Sequence, residues 1–195
     1  PMGYKLASIF YFNSAKARNE KILFCDDDIM AFRRLDEIIT WADATHTTEP
    51  LFIQEYDITT RHDPLFAQAA TSLGLTSPKK INVGLLALPK GTLDIDSLEK
   101  LLTHVETLQS QSPRELSWFP DTSALAFQLS HGLGLPPREY LVSTQRQFWG
   151  EKDCDYSQIK LRHFVGPVRH LLRLRGVPLL LKQLQNETRM RHHSR

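Results

Sequence analysis

Apolar and polar positions along the chain alternate in blocks that predict short strands and amphipathic helices in turn. A fully apolar run at residues 22–25 and a largely apolar stretch at residues 81–88 are typical of strands buried on both faces of a parallel sheet. The clearest helical pattern covers residues 96–108, whose apolar positions form one stripe: Leu98, Leu101, Leu102, Val105 and Leu108. Strands that alternate with helices indicate an α/β fold with a mostly parallel sheet.

Weaker patterns predict the remaining elements. The predicted helices cover residues 4–17, 35–41, 63–73, 121–129 and 167–175. The predicted strands cover residues 51–56, 140–143 and 159–164. A chain of 195 residues, 41% hydrophobic and 24% charged, fits one soluble globular domain. Cys25 and Cys154 have no metal-binding or disulfide spacing, which is typical of a reducing, cytoplasmic location.

Positive charge is concentrated at the C-terminal end. From Arg162 onward the chain carries eight Arg and Lys residues against one acidic residue, Glu187. Such an end can bind phosphate, nucleic acid or an anionic membrane surface, or it can simply be solvated. No set of aromatic residues for base stacking accompanies the arginines, so nucleic acid is not an expected partner. We expect residues 183–195 to be a basic tail with, at most, weak membrane-surface contact.

An acidic triplet, Asp26-Asp27-Asp28, follows the first apolar strand directly. The carboxyl end of such a strand is where open α/β sheets place their ligands. In an extended chain Asp26 and Asp28 point to one side and Asp27 to the other, which predicts a hard oxygen site for Mn²⁺ or Mg²⁺. Acidic triplets also cap helices and occupy loops, so the triplet alone leaves both interpretations open.

The same strand end is compatible with a phosphatase of the haloacid dehalogenase type, in which the first Asp is a nucleophile. Such an enzyme needs a later Lys and a later acidic pair at strand ends. Lys160, Asp153 and Asp155 lie in polar loop sequence and follow no apolar strand, which disfavours this alternative.

The segment His163-Phe164-Val165-Gly166-Pro167-Val168-Arg169 predicts a second half of the site. Gly166 and Pro167 suit the N-cap and first residue of a helix, whose free N–H groups and positive dipole end attract phosphate. Arg169 in the first turn would add a charge-assisted contact, and His163 at the preceding strand end would complete a metal site. The alternative is a hydrogen-bonded core histidine and a surface arginine.

Four blocks, in order, resemble the GT-A-fold glycosyltransferases, in particular the glycogenin-like and bacterial galactosyltransferase-like retaining group. They are the strand and Asp-x-Asp motif in residues 22–37, the Asn-x-Gly strand at Asn82 and Gly84, the helix start at Asp121, and His163 to Arg169. The resemblance covers roughly residues 4–175. It implies a GT-A-like (Rossmann-like) α/β fold and metal-dependent transfer of a sugar from a nucleoside diphosphate sugar to a hydroxyl acceptor on a sugar, lipid or protein.

The resemblance also implies roles for particular residues. The implied ligands of Mn²⁺ (or Mg²⁺) are Asp26, Asp28 and His163. The implied donor-binding residues are Lys5, Asn82, Gly84, Gly166 and Arg169. Asp121 would stabilise an oxocarbenium-like centre, and its alternative role is that of a helix N-cap.

The chain departs from the family pattern in three ways. Thr122 stands where the family has an amide side chain, and Arg169 stands where it has Lys. Nothing in the chain corresponds to the N-terminal strands that bind the nucleotide base. We therefore expect a partial GT-A domain at residues 1–182, followed by the basic tail. A non-catalytic binding domain that keeps this fold is the alternative function.

Overall fold

A computed structural model describes residues 2–13, 21–46, 49–54, 63–75, 81–112, 120–129, 132–136, 139–142, 156–164 and 166–193. The helices are α1 (Met2–Asn13), α2 (Asp36–Asp43), α3 (Pro64–Ser72), α4 (Ile95–Gln111), α5 (Pro120–Gln128), α6 (Arg169–Leu171) and α7 (Val177–His193). The strands are β1 (Lys21–Cys25), β2 (Ile29–Ala31), β3 (Leu51–Gln54), β4 (Ile81–Pro89), β5 (Leu133–Leu135), β6 (Tyr140–Val142) and β7 (Leu161–His163).

The strands form two sheets. A four-stranded sheet has the order β1-β4-β3-β5, and a three-stranded sheet has the order β2-β7-β6. Strand β4 runs antiparallel to both of its neighbours, whereas β3 and β5 are parallel. In the smaller sheet, β2 is antiparallel to β7 and β6 is parallel to it.

The prediction of an α/β fold with helices flanking a sheet is confirmed. The strand directions are more mixed than predicted, because three of the five pairings among the described strands are antiparallel. All nine residues of β4 are buried because this strand lies inside the sheet with both faces covered. An antiparallel strand with both faces buried has the same largely apolar sequence as a buried parallel strand. The sequence pattern therefore could not predict whether β4 runs parallel or antiparallel to its neighbours.

Strand β1 is less buried than its apolar sequence predicts. It lies at the end of the four-stranded sheet and, among the described strands, pairs with β4 only. Its burial therefore alternates, and Leu23 remains 52% exposed. Of the two predicted buried strands, β4 has the expected environment and β1 does not.

The main core lies on one face of the larger sheet. Helices α1, α3, α4 and α5 pack there, and the predicted stripe of α4 is buried at Leu98, Leu101 and Val105. Helix α2 covers the opposite face with Ile38 and Trp41, the former within a second core cluster that reaches β6 and β7. The candidate site lies where the two sheets meet.

Polar side chains define several element boundaries. The Asp63 carboxylate accepts a hydrogen bond from the Leu65 N–H at 2.8 Å, and Pro64 occupies the first turn of α3 as predicted. Helix α1 ends at Asn13, whose amide nitrogen donates to the Pro89 carbonyl at 2.6 Å. The Asn13 side-chain oxygen accepts from the Leu93 N–H at 2.8 Å. Asn13 thus ties the end of α1 to the turn after β4.

The C-terminal part is a continuous helical segment. It begins as a 3₁₀ turn at Gly166–Val168, continues through α6 and a π-helical turn at Leu172–Gly176, and becomes α7. The predicted helix at residues 167–175 therefore extends much further, and the predicted domain boundary after residue 182 falls within α7. No helix in the described part of the chain is both long and apolar enough to cross a membrane.

Candidate metal centre

The acidic triplet lies in a tight turn between β1 and β2. The Asp26 N–H donates to the Gly84 carbonyl at 2.8 Å, which fixes the start of the turn beside β4. The Asp28 side chain is 4% exposed, whereas that of Asp27 is 96% exposed. Asp26 and Asp28 thus face the site, as the alternation predicts, although a turn rather than an extended strand produces the arrangement. The Asp27 side chain projects into solvent on the other side, with one carboxylate oxygen 3.8 Å from Arg169 Nη2.

Strand pairing brings His163 to the carboxylates. β2 and β7 pair so that Ile29 lies opposite His163, and the Phe164 N–H donates to the Asp28 carbonyl at 2.8 Å. The pairing of the short strands β2 and β7 therefore brings the acidic triplet and the His163 segment together.

Asp26, Asp28 and His163 form one cluster. One ligand atom from each lies within 4.8 Å of the other two. His163 Nε2 is 2.9 Å from Asp28 Oδ1 and 3.7 Å from Asp26 Oδ2. Atoms that each lie about 2.0–2.6 Å from one ion are separated by roughly 3–5 Å, so the spacing suits a shared cation.

The tautomer of His163 can be assigned from its neighbours. Asn82 Oδ1 accepts a hydrogen bond from the Gly84 N–H at 3.0 Å, which identifies that atom as the amide oxygen. His163 Nδ1 lies 2.8 Å from the same oxygen and must therefore carry the proton that it donates. In the neutral ring, Nε2 is left as a lone pair directed at the carboxylates, the orientation found in metal-binding histidines.

Asp28 Oδ1 is buried and has no hydrogen-bond partner in this tautomer of His163. Two lone pairs then face each other across 2.9 Å, an arrangement that a proton or a cation between them would relieve. Two carboxylates and one imidazole form a donor set that accepts Mn²⁺ well and Mg²⁺ less well. The residues present therefore fit a divalent cation.

Arg169 contacts the same carboxylate from the other side. Its Nε and Nη2 lie 3.0 and 2.6 Å from Asp28 Oδ2. Burial of Asp28 opposes ionisation, but the two hydrogen bonds from the Arg169 guanidinium outweigh it and hold the pKa of Asp28 well below its usual range. Asp28 is therefore ionised at neutral pH, and Arg169 forms an ion pair with one of the candidate metal ligands.

Gly84 makes room for His163. A β-carbon at Gly84 would lie 2.4 Å from His163 Cε1 and 2.5 Å from Nδ1, much closer than real β-carbons approach other atoms. The resemblance implies donor binding by Asn82 and Gly84. In the structure both residues hold the histidine in place.

The other predicted site residues are less informative. Gly166 is exposed and has φ +62°, a left-handed conformation that favours glycine at the start of the helical segment. Lys5 lies in α1 and Asp121 in the first turn of α5. The side chains of Lys5 and Asp121 lie outside the described residues, so their roles stay predictions.

A charged network beside α2 was not anticipated from the sequence. Lys160 Nζ lies 2.5 Å from a Glu37 carboxylate oxygen and 2.6 Å from a Glu139 oxygen. The Tyr140 hydroxyl donates to the other Glu37 oxygen at 2.6 Å. The phosphatase alternative places Lys160 at the acidic triplet, whereas the observed ion pairs are with Glu37 and Glu139. Asp153 and Asp155 lie outside the described residues.

Comparison with known proteins gives a likeness in structure alone. No protein-family model matches the chain, and no curated protein matches it in sequence. A solved structure of an active-site mutant of LgtC matches with a TM-score of 0.50 and 14% identity over 84% of this chain. The galactosyltransferase LgtC in complex with donor and acceptor sugar analogs matches with a TM-score of 0.47 and 14% identity, again over 84% of this chain.

The likeness concerns the fold. This chain has an α/β fold similar to that of the galactosyltransferase LgtC. It spans 58% and 59% of the length of those two solved chains.

Proposed function

We propose that this protein transfers a sugar from a nucleoside diphosphate sugar to a hydroxyl acceptor and uses a divalent cation to do so. The observation that carries the proposal is the cluster of Asp26, Asp28 and His163, whose ligand atoms lie within 4.8 Å of one another. The likeness of the fold to that of a galactosyltransferase supports the reaction class.

Asp26, Asp28 and His163 would hold the cation, with Mn²⁺ as the better match for the imidazole ligand. When bound, the cation supplies positive charge that stabilises the leaving diphosphate. A cation held by three protein side chains would also accept oxygen ligands from a bound donor. Asn82 and Gly84 act on this centre as positioning residues because they set the tautomer and the location of His163.

Arg169 would bind the diphosphate beside the cation. A guanidinium has five N–H donors, and Asp28 accepts from the Nε and Nη2 groups in the structure. The side chain is 64% exposed, so further N–H groups can reach an anion that approaches from solvent. Gly166 begins the helical segment three residues before Arg169, and the N–H groups at this helix start are proposed to contact the same anion.

The reaction requires the bond between the sugar's anomeric carbon and the diphosphate oxygen to break while a bond to the acceptor oxygen forms and the proton of the acceptor hydroxyl passes to the departing diphosphate. Charge grows on the departing diphosphate, where Arg169 contributes electrostatic stabilisation. Asp121 is proposed to stabilise the positive charge that develops on the sugar, and Lys5 to contact the donor phosphates.

The direct test is release of nucleoside diphosphate from UDP-, GDP- and ADP-sugars, with Mn²⁺ or with excess chelator. We expect metal-dependent release from one donor class and its loss in Asp28→Asn, which removes a ligand charge while preserving shape. Asp43→Asn is the matched control because Asp43 is an exposed carboxylate at the end of α2, outside the cluster. Equal rates for Asp28→Asn and the unsubstituted protein would contradict the proposal.

A non-catalytic binding domain is the second candidate. In that case a nucleoside diphosphate would bind in a Mn²⁺-dependent manner while no donor was turned over. Binding measured beside the release assay therefore separates the two functions.

A further inference from the structure

The last helical segment has an exposed apolar face. Four large apolar residues remain exposed there: Leu174 at 67%, Val177 at 39%, Leu181 at 55% and Leu184 at 49%. Their spacing of three and four residues places them along one side of the segment. At about 1.5 Å per residue this apolar stripe is about 15 Å long.

The stripe points away from the protein. Leu172 and Leu179 of the same segment pack against the cluster of Phe32, Ile159 and Phe164. At Gly176 the backbone comes so close to the domain that a β-carbon would lie 3.1 Å from an atom of Phe164. At about 100° of rotation per helical residue, residues 172, 176 and 179 lie roughly half a turn away from residues 174, 177 and 181, so the packed side and the apolar stripe lie on opposite faces.

Positive charge flanks the stripe. Between residues 172 and 193 the chain carries Arg173, Arg175, Lys182, Arg189 and Arg191 against Glu187 alone. Arg173 lies on one side of the stripe in a helical projection, and Lys182 and Arg189 lie on the other; all three are exposed. An apolar face bordered by basic residues is the pattern of a helix that lies in the surface of an anionic membrane.

We infer that the apolar stripe binds the surface of a membrane that contains anionic lipids, with the leucines among the acyl chains and the basic residues at the headgroups. The positive charge of the helix favours an anionic membrane over a second copy of the chain as the partner of the stripe. Two copies packed through the stripe would bring two basic helices together, whereas anionic headgroups neutralise them. The inference goes beyond the proposed function and does not depend on it.

The test is co-sedimentation of the whole chain with phosphatidylcholine vesicles that contain about 30 mol% phosphatidylglycerol, compared with pure phosphatidylcholine vesicles. We expect binding to the anionic vesicles only. The double variant Leu174→Gln, Leu181→Gln should reduce it at least about tenfold because it removes two apolar side chains. Leu133→Gln on β5 is the matched control, since Leu133 is 51% exposed and lies in the larger sheet.

A charge variant provides an independent measurement. Lys182→Gln should weaken vesicle binding about fivefold at low salt, whereas Lys100→Gln on α4 should leave it unchanged. No binding to anionic vesicles, or equal binding by the double leucine variant, would overturn the inference. A dimer in lipid-free solution that the leucine variant converts to monomer would also overturn it, in favour of self-association. Thermal unfolding of each variant checks that it remains folded.

Discussion

The backbone of Gly84 lies directly against the imidazole of His163, with no space for a side chain between them. A β-carbon there would come within 2.4 Å of the ring. The Gly84 N–H also orients Asn82, which in turn holds Nδ1 of the histidine. Three residues from two strands of different sheets therefore determine where Nε2 points.

We predict that Gly84→Ala displaces His163 and lowers Mn²⁺ affinity by about 10- to 100-fold, the usual effect of disturbing residues that orient a metal ligand. Isothermal titration with Mn²⁺ measures the change. Gly134→Ala on β5 is the control, because the side chain that it would meet is the flexible Gln54. Unchanged Mn²⁺ affinity in Gly84→Ala would show that the histidine does not act as a ligand.

Replacement of Asn82 tests the tautomer. In the unsubstituted protein the ¹⁵N shifts of His163 should report a proton on Nδ1 and a lone pair on Nε2. In Asn82→Leu the hydrogen-bond acceptor is lost, so the two tautomers should mix and Mn²⁺ affinity should fall about tenfold. Asn186→Leu on the exposed surface of α7 should change neither measurement. A proton on Nε2 in the unsubstituted protein would contradict the assignment.

Arg169→Ala is expected to weaken nucleoside diphosphate binding by about 1.5–3 kcal/mol, the contribution of a charge-assisted hydrogen bond. Arg169→Lys should restore part of this because it keeps the charge but not the fork geometry. Arg173→Ala provides the control, since Arg173 is an exposed arginine four residues further along. Titration with UDP and GDP in the presence of Mn²⁺ measures the affinity of all three variants. If Arg169→Ala binds as tightly as the unsubstituted protein, Arg169 does not bind the donor.

Much of this architecture could be predicted from local sequence. The apolar run of β4, the stripe of α4 and the Pro64 helix start are local patterns, and each is found in the structure. The acidic turn and the His163 segment were also identifiable, because each combines chemistry with a strand end. The family resemblance predicted that these two segments contribute to one metal site.

Other features depend on pairing that local patterns do not encode. Strands β2 and β5 have three residues each, too few for an alternation to be distinctive, yet β2 brings Asp28 to His163. The contacts of Lys160 with Glu37 and of Arg169 with Asp28 join residues more than one hundred positions apart. Such ion pairs follow from the tertiary fold and leave no signal in the spacing of residues.

The Glu37 network predicts a pH dependence of stability. Partial burial raises the pKa of Glu37, but hydrogen bonds from Lys160 and Tyr140 outweigh it and lower the pKa to about 2, from 4.5. A carboxylate with a depressed pKa contributes stability that is complete above about pH 4.5 and is lost as the pH falls towards 2. Acidification from pH 5 to pH 3 should therefore lower the urea midpoint of unfolding.

Glu37→Gln should lower the urea midpoint modestly at pH 7 and should reduce its further fall between pH 5 and pH 3, because the amide does not titrate. The effect is expected to be modest since Glu37 and Lys160 are both partly exposed to solvent. Glu106→Gln on the exposed side of α4 is the control. If Glu37→Gln and Glu106→Gln show the same pH dependence, the network does not stabilise the fold.

Binding of Mn²⁺ to the purified protein, followed by electron paramagnetic resonance of the free ion, tests the metal centre most directly. The unsubstituted protein and Asp43→Asn should each bind one Mn²⁺ per chain, because Asp43 lies outside the cluster. Asp28→Asn and His163→Ala should each lose that binding, because they remove ligands from the cluster. Absence of Mn²⁺ binding in the unsubstituted protein, or equal binding in Asp28→Asn, would contradict a metal centre formed by Asp26, Asp28 and His163.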